Sequence, residues 1–245
     1  MRSTPEFAIV IPVYNHAQTV KSVVERARTL GPPVYAVDDG STDGTAGILG
    51  SLQGITVLNH PVNQGKGAAL LTGFAAAAAA QADFVITMDA DGQHDPSDAV
   101  SLMNAVSSEA PVIVVGKREG MLNDSSIQWT SRFGRKFSNF WVRLSGGPVL
   151  SDSQSGFRIY PVREILALRS RARRFQFEVE ILVLAQWHGI RIDEMPVSVL
   201  YQPRGERISH FRPFVDFWRN AGTFSRLIAL RLLVPRSWRR RMTQR

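Results

Sequence analysis

Short apolar runs rich in β-branched residues alternate with helical patterns over the first half of the chain, and this alternation limits the fold more than any other feature. The apolar residues of the runs are nearly continuous, which predicts strands buried on both faces. The predicted strands are Phe7–Ile11, Pro33–Val37, Ile55–Leu58, Phe84–Met88 and Val112–Val115, and the predicted helices are Ala17–Leu30, Thr45–Leu52, Gly67–Ala82 and Ser97–Val106. The pattern predicts a doubly wound α/β fold, with a mostly parallel sheet flanked by helices.

The pattern is less regular from Ile127 onward. It predicts a helix at Ser131–Leu144, an extended piece at Phe157–Tyr160, a helix at Phe175–His188 and a strand pair at Ile190–Val199. After an arginine-rich loop, the last part of the chain has an aromatic and basic helical pattern. We therefore predict a globular domain of residues 1–212, followed by an amphipathic basic helical tail of residues 213–245.

The composition limits the chemistry and the partners of the chain. It contains no cysteine, which excludes disulfides and thiolate ligands and leaves oxygen or imidazole groups for any metal. The net charge of +8 favours a polyanionic partner, whether nucleic acid, anionic lipid or a phosphorylated small molecule. We expect no secretory signal in the first residues, and no window reaches the roughly eighteen apolar residues of a spanning helix. We expect a cytosolic protein that touches a membrane without crossing it.

The predicted fourth strand is followed by two aspartates, Asp89 and Asp91, at the edge of the sheet where ligands bind in such folds. Their spacing of two places both carboxylates on one face of an extended segment, where they can approach one hard cation together. Gln93, again two residues on, can add a carbonyl oxygen. Mg²⁺ or Mn²⁺ would complete its shell with water and phosphate. The alternative is a loop whose aspartates cap the next helix.

Two more loops fall on the same predicted edge. Residues 38–45 are typical of a turn with Asx hydrogen bonds, but Asp38 and Asp39 together exceed what the turn needs, and one can accept hydrogen bonds from a base or a ribose. Residues 63–67 place backbone N–H groups and Lys66 at a helix start, where an anion can bind. A solvated lysine at a helix start is the alternative. The loop is not a Walker A motif, because its second glycine follows the lysine.

Five motifs together resemble the inverting family 2 glycosyltransferases of GT-A fold, and within them the dolichyl- and polyprenyl-phosphate sugar synthases. They occur in the family's order and spacing over roughly residues 6 to 212. The motifs are Pro12-Val13-Tyr14-Asn15, Asp38 to Thr45, Asn63 to Gly67, Asp89 to Gln93 and Asp152 to Arg158. The resemblance implies a nucleotide-diphosphate sugar donor of UDP or GDP type, a lipid-phosphate acceptor, and Mg²⁺ or Mn²⁺.

The resemblance also implies roles on the donor side. Asp91 and Asp152 would act in catalysis, with Asp152 approaching the donor sugar from the side opposite the diphosphate. The family frequently has glutamate after Tyr-Asn, whereas this chain has His16, so the choice between uridine and guanosine stays open. The nucleotide would be held by Pro12, Tyr14, Asn15, Asp39, Lys66 and Asp89, and the metal by Asp89, Asp91 and Gln93.

On the acceptor side, the resemblance implies a phosphate site made by Arg118, Arg132, Arg135 and Ser138. The last three recur at intervals of three and can face one phosphate from a helix, and a solvated basic helix face is the alternative. The remaining implied residues support the loops or line the sugar site. They are Arg158, Glu178, Glu180 and His210, which stands where the subgroup usually has lysine.

The implied reaction is a displacement at the anomeric carbon with inversion. A phosphate acceptor is already anionic and needs positioning by arginines, whereas a hydroxyl acceptor needs a base, for which Asp152 is the candidate. Three alternatives stay open: a family 2 transferase acting on a hydroxyl of another lipid, pigment or glycan, a nucleotidyltransferase, and a non-catalytic nucleotide or nucleic-acid binder. Charge alone suggests the last, and we expect no nucleic-acid partner, because carboxylates at the sheet edge repel phosphate without a metal.

The tail interleaves aromatic and aliphatic residues such as Trp218, Leu233 and Trp238 with arginines. This composition is typical of an interfacial helix on anionic lipid. A helix packed on the globular domain is the alternative. We expect the protein to associate peripherally with the inner face of the membrane, alone or through a membrane-protein partner.

Overall fold

One sheet runs through the part of the chain that the computed structural model describes, which is residues 4–106, 110–118, 129–198 and 213–244. Its strands are β1 (Phe7–Val13), β2 (Val34–Asp38), β3 (Thr56–Asn59), β4 (Phe84–Thr87), β5 (Val112–Arg118), β6 (Arg158–Pro161) and β7 (Arg191–Val197). Their order in the sheet is β3-β2-β1-β4-β6-β5-β7. Neighbouring strands are parallel, except that β6 runs antiparallel to both β4 and β5.

Helices cover both faces of this sheet. They are α1 (Val20–Arg28), α2 (Thr45–Ser51), α3 (Lys66–Ala79), α4 (Asp98–Asn104), α5 (Trp129–Leu144), α6 (Val162–Ala167), α7 (Phe177–His188), α8 (Pro213–Leu233) and α9 (Arg236–Met242). Successive residues of β1 point to opposite faces and enter two separate cores. Val10 packs with α3 and α7, while Ile9 and Ile11 pack with α1 and α4. The two layers confirm the predicted α/β fold.

The alanine-rich helix α3 lies very close to β1. A Cβ atom on Gly73 would stand 2.4 Å from Cγ1 of Val10, so only glycine fits at this crossing. The close approach fixes the start of α3, and therefore Lys66, against the carboxyl end of the central strands. The small residues of the helix thus help to position the candidate site.

One detail of the predicted topology is wrong. Ile190–Val199 was expected to form a strand pair, but residues 191–197 form one strand, because β7 pairs with β5 in unbroken parallel register from Arg191 to Val197. The extended piece predicted at Phe157–Tyr160 is β6, which runs antiparallel between β4 and β5 in the otherwise parallel sheet. This course brings the loop before Arg158 to the same sheet edge as the loops that follow the parallel strands.

The tail forms α8 and α9 and packs partly on the globular domain. Phe224 and Leu227 of α8 are buried in the core shared with α3 and α7. Large apolar residues of the tail remain exposed, among them Trp218 at 72% and Leu233 at 80%. In the described part of the chain, every helix is too short or too polar to span a membrane.

Candidate active site

The loops after β1 and β2 are joined by hydrogen bonds between backbone N–H groups and side-chain oxygens. Asn15 adopts a left-handed φ of 54°, which asparagine tolerates better than most residues. Its backbone N–H donates to Oγ of Ser41 at 2.9 Å, and its side-chain Oδ1 accepts the N–H of Thr42 at 2.7 Å. The N–H of His16 donates to Oγ1 of Thr45 at 3.0 Å. The two predicted nucleotide loops therefore form one preorganised surface, which includes the buried Pro12 and the half-buried Tyr14.

Asp39 joins this surface to the next loop. Its buried carboxylate accepts the backbone N–H groups of Gln64 at 2.9 Å and Gly65 at 2.7 Å. It also lies 2.7 Å from Nδ1 of His60, whose Nε2 lies 2.9 Å from Oγ1 of Thr72 on α3. Sequence analysis missed His60, although its position directly after β3 marks it. Both oxygens of the Asp39 carboxylate therefore stabilise the loop that carries Lys66.

Lys66 lies between two carboxylates at the start of α3. Its Nζ is 2.6 Å from Oδ1 of Asp89 and 2.6 Å from Oε1 of Glu178. Burial alone would lower the pKa of Lys66, but the charges of Asp89 and Glu178 raise it above its usual range. Burial alone would raise the pKa of Asp89, but Lys66 holds it below its usual range. Lys66 and Asp89 are therefore ionised at neutral pH, and by formal charge the two carboxylates of the cluster outnumber its one ammonium group.

Gly156 leaves the space that this cluster needs. A Cβ atom there would stand 2.5 Å from Oδ2 of Asp89 and 2.7 Å from Nζ of Lys66. Any larger residue would push against the ion pair. The glycine of the motif Asp152 to Arg158 therefore leaves room for the ion pair in its observed position.

Arg118 and Asp152 form a second ion pair at the same edge. Nε of Arg118 donates to Oδ2 of Asp152 at 2.6 Å, and Nη2 donates to Oδ1 at 2.9 Å. Burial alone would lower the pKa of Arg118, but the hydrogen bond and charge of Asp152 raise it. The sequence predicted an acceptor-binding arginine and a candidate base, and the structure joins these two residues in one bidentate pair.

The loop around Asp152 is held from three sides. Glu194 of β7 accepts the backbone N–H groups of Ser151 at 2.8 Å and of Asp152 at 3.0 Å. From α5, Asn139 donates to the carbonyl of Ser151 at 2.8 Å, and Oγ of Ser138 lies 3.1 Å from Oγ of Ser153. Sequence analysis missed Glu194 as a support of this loop, and Asn139 had no sequence signal at all.

The buried guanidinium of Arg158 holds the third side of the loop. It donates to the carbonyls of Ser155 at 2.6 Å, Ser153 at 2.9 Å and Glu178 at 2.7 Å, and to the hydroxyl of Tyr160 at 3.0 Å. These bonds connect the start of β6 to the start of α7. Arg158 thereby fixes the Gly156 backbone relative to Glu178.

Glu178 and Glu180 point to different surroundings, although both were predicted to line the sugar site or support its loops. Glu178 contacts Lys66, whereas the fully buried carboxylate of Glu180 accepts the hydroxyl of Ser170 at 2.7 Å and the N–H of Ala172 at 2.7 Å. Glu180 also pairs with Arg226 of α8. Residues two apart on a helix differ by about 200° in direction, which explains the separation.

The sequence of residues 8–166 matches the family described as Glycosyl transferase family 2. The chain belongs to this family. It is 29% identical over 213 residues to the UDP-N-acetylglucosamine–dolichyl-phosphate N-acetylglucosaminyltransferase of Methanococcus voltae, with 79% of this chain and 85% of that protein covered. It is 27% identical over 211 residues to the polyprenol monophosphomannose synthase of Mycolicibacterium smegmatis, with 81% of this chain and 78% of that protein covered.

A solved structure of similar fold is the glucosyl-3-phosphoglycerate synthase of Mycobacterium tuberculosis, determined with Mg²⁺ and UDP. The TM-score is 0.65 at 21% identity, and the alignment covers 94% of this chain and 80% of that one. Likeness at this identity is evidence of the fold. Together with the family match, it confirms the predicted GT-A glycosyltransferase fold.

The family 2 transferase has further oxygen-bearing side chains close in sequence to the Asp89 of the Lys66 cluster. Oδ1 of Asp91 accepts the backbone N–H of Gln93 at 3.0 Å, which closes a tight turn shortly after β4. Among the described residues, no three carboxylate or imidazole groups converge as a preformed metal site. Mg²⁺ and Mn²⁺ take only one or two carboxylates when phosphate supplies the other oxygens. Asp91 and Gln93, beside the excess negative charge around Asp89, therefore fit a divalent cation bound to a diphosphate.

Three predicted residues of the transferase lie partly or wholly outside the described structure. Arg132 and Arg135 stand on α5, but their side chains are outside the described residues, and His210 is outside them altogether. Ser138, on the same helix, is buried against Ser153. The acceptor roles of Arg132, Arg135 and Ser138 stay predictions, as does the support role of His210.

Proposed function

We propose that this glycosyltransferase moves a sugar from a nucleoside diphosphate donor to a polyprenyl phosphate, with inversion at the anomeric carbon. One relative is named a dolichyl-phosphate N-acetylglucosaminyltransferase, and the other is named a polyprenol monophosphomannose synthase. The observation that carries the acceptor class is the Arg118–Asp152 pair. A hydroxyl acceptor needs a general base, but both oxygens of the candidate base, Asp152, are bound to an arginine. A phosphate monoester is already anionic and needs none.

On the donor side, Asp91 and Gln93 hold the divalent cation, Mg²⁺ or Mn²⁺, and Asp89 is shared between the cation and the ribose. When bound, the cation neutralises charge on the departing nucleoside diphosphate. Lys66 stands near the diphosphate. The base and ribose, of UDP or GDP type, lie along the surface made by Pro12, Tyr14, Asn15 and Asp39.

On the acceptor side, Arg118 orients the phosphate together with Arg132, Arg135 and Ser138. The Nη1 group of Arg118 takes no part in the pair with Asp152, so Asp152 acts as a positioning residue that sets the guanidinium plane. A phosphate oxygen forms a bond to the anomeric carbon as the bond to the diphosphate oxygen breaks. The bonding electrons leave with the nucleoside diphosphate, and no proton has to move.

A matched pair of acceptors tests the proposal. Purified protein with Mn²⁺ and a panel of UDP and GDP sugars is offered a short polyprenyl phosphate or the polyprenol of the same chain length. We expect a lipid product with the phosphate and none with the alcohol, and the productive donor should also raise the melting temperature only when metal is present. Equal transfer to the alcohol would contradict the acceptor assignment, and full activity in EDTA would contradict the metal assignment.

A pair of carboxylate variants tests the metal ligands. Asp91→Ala should abolish transfer and metal-dependent donor binding, whereas Asp193→Ala, which removes a half-exposed carboxylate paired with Arg191 on β7, should leave both intact. Retained metal-dependent binding in Asp91→Ala would remove Asp91 from the metal site.

The tail supports a peripheral location at the inner face of the membrane. Trp218, Leu232, Leu233 and Trp238 are each at least 65% exposed, and arginines stand among them in the chain. This combination suits a surface of anionic lipid. Vesicle sedimentation should show at least about fivefold more protein on phosphatidylglycerol vesicles than on phosphatidylcholine vesicles, a gain well within the ~1 kcal/mol per basic residue expected there. Equal binding would contradict the location.

A further inference from the structure

A strongly basic cleft lies between the segment 171–176 and helix α8, apart from the residues assigned above to donor and acceptor. Its volume is about 380 Å³, within the range of small-molecule sites. Among the described residues, no aspartate or glutamate lines it. Its lining includes five arginines and one glutamine, which are Arg171, Arg173, Arg174, Arg219, Arg226 and Gln176.

The walls of the cleft are fixed by contacts to the rest of the protein. Glu180 accepts the backbone N–H groups of Arg171 at 3.1 Å and Ala172 at 2.7 Å, and it also binds Arg226. The carbonyl of Arg173 accepts the N–H of Ala68 at 2.8 Å. Nη1 of Arg174 donates to Oδ1 of Asn63 at 2.9 Å. The arginines are therefore gathered on a rigid frame, although like charges in one cleft repel each other.

One of the residues that line the cleft carries an unsatisfied donor. Gln176 is only 5% exposed, and its Nε2 is buried without a hydrogen-bond partner in the described part of the protein. A buried amide donor without an acceptor is unfavourable, and native proteins seldom keep one without a reason. An oxygen-rich anion in the cleft would accept its hydrogen bonds and offset the repulsion among the arginines.

We propose that this cleft is a second anion site, which binds a phosphate group through the arginines and the Gln176 amide. Guanidinium groups bind phosphate through paired N–H donors, which suits several arginines around one tetrahedral anion. The phosphate comes either from the head group of an anionic membrane lipid or from a soluble phosphate compound. The exposed Trp218, next to Arg219 on the helix that forms one wall, favours the lipid source. The site does not depend on the glycosyl-transfer proposal.

Inorganic phosphate is the first probe. Its binding is measured by calorimetry and thermal stabilisation against chloride at equal ionic strength. The double variant Arg173→Gln/Arg219→Gln should weaken phosphate binding at least tenfold. The control double variant Arg163→Gln/Arg191→Gln removes the same charge from exposed arginines outside the cleft and should change binding less than twofold. Equal weakening in the two double variants, or no preference for phosphate over chloride, would overturn the proposal.

Gly222 allows a second test that leaves every arginine in place. It lines the cleft, and a Cβ atom added there meets nothing within 4 Å. Gly222→Glu and Gly222→Gln have nearly the same shape, and both residues favour the helix more than glycine does. The glutamate variant should lose phosphate binding at least tenfold relative to the glutamine variant. Equal binding by the two would contradict an anion site.

Vesicles identify the source of the phosphate. If a lipid head group binds, Arg173→Gln/Arg219→Gln will lose sedimentation with phosphatidylglycerol vesicles far more than the control double variant of equal net charge. If a soluble phosphate compound is the ligand, both double variants will sediment equally, while only the cleft variant loses inorganic phosphate. Either pattern supports the site, and loss of neither property in the cleft variant refutes it.

Discussion

Two ion clusters lie at the same edge of the sheet, and they differ in charge balance. Lys66 is shared by Asp89 and Glu178, whereas Arg118 has one carboxylate, Asp152, that it binds through two nitrogens. The first cluster keeps an excess negative charge beside Asp91, while the second is neutral. A cluster with surplus carboxylate attracts a further cation, but a closed bidentate pair holds its own members in place.

The difference suits the two substrates of the proposed reaction. A bare diphosphate would be repelled by the surplus carboxylates, so the donor must arrive with its divalent cation. The acceptor phosphate meets an arginine whose orientation is already set. The donor side would thus select the metal complex by charge, and the acceptor side would select by geometry.

Of the two clusters, the first should show the larger effect, when Lys66 is removed. Lys66→Met leaves Asp89 and Glu178 facing each other without a cation, and loss of one partner from a buried ion pair costs about 3 kcal/mol. Transfer should fall by about a hundredfold, as when an electrostatic group is lost from an active site. Urea unfolding and a radiolabelled-sugar assay measure the two effects.

The double variant Lys66→Met/Glu178→Gln is the control for this interpretation. It removes one of the two repelling charges and should recover part of the lost stability without recovering activity. A Lys66→Met protein as stable as the wild type would show that Lys66 does not stabilise the two carboxylates beside it.

The neutral pair should respond differently. Asp152→Asn removes the charge that faces Arg118 but keeps an oxygen that can accept one hydrogen bond, so a stability loss of about 2 kcal/mol is expected. At saturating acceptor, turnover should stay within about tenfold of wild type, because a positioning residue affects the chemical step less than a general base does. The KM for the polyprenyl phosphate should rise. Near-complete loss of turnover with intact donor binding would make Asp152 a base instead.

A smaller perturbation reaches the donor-side cluster alone. Gly156→Ala places a methyl group on the Lys66–Asp89 pair, but both neighbours are side-chain ends that can move, so the stability loss should be about 1 kcal/mol. Transfer should nevertheless fall about tenfold, because a small displacement of Lys66 and Asp89 from their positions lowers the rate of the reaction. Gly50→Ala on α2, where a Cβ meets nothing within 4 Å, should stabilise the protein by about 0.5–1 kcal/mol and leave transfer unchanged. Loss of transfer in both would point to global effects.

The sequence predicted the sheet well where strand burial controls the pattern. β1, β2, β3, β4 and β5 all lie within a few residues of their predicted positions, because apolar runs and turn residues mark their ends. The direction of β6 was not predictable in the same way. A four-residue strand carries no signal for its partners, and its antiparallel course depends on the packing of distant segments.

The sequence predicted individual residues of the candidate site but not the contacts between them. Arg118 and Asp152 were both singled out with separate roles, and their contact joins residues 34 apart in the chain, which no local pattern encodes. By contrast, the separation of Glu178 from Glu180 was available from the sequence. The segment was predicted to be helical, and residues two apart on a helix cannot face one site.

The smallest effect concerns the link between α5 and the Asp152 loop. Ser138→Ala removes a buried hydroxyl that lies 3.1 Å from Oγ of Ser153, and a single neutral hydrogen bond contributes about 1 kcal/mol. Stability should fall by that amount or less. Because Ser138 is also proposed to bind the acceptor, the KM for polyprenyl phosphate should rise about fivefold, which corresponds to the loss of one hydrogen bond.

Ser153→Ala separates these two contributions. It breaks the same contact between the two hydroxyl groups by removing the other partner, so it should lower the stability by a similar amount. The stability loss of the Ser138→Ala/Ser153→Ala double variant should be smaller than the sum of the two single losses. Ser153 is not proposed to contact the phosphate, so the KM of Ser153→Ala for polyprenyl phosphate should stay near that of the wild type. If both single variants raise the KM equally, Ser138 serves only to tie α5 to the loop. The acceptor phosphate would then be held by the arginines alone, and the acceptor side would select by the geometry of Arg118 without any contribution from the buried hydroxyl.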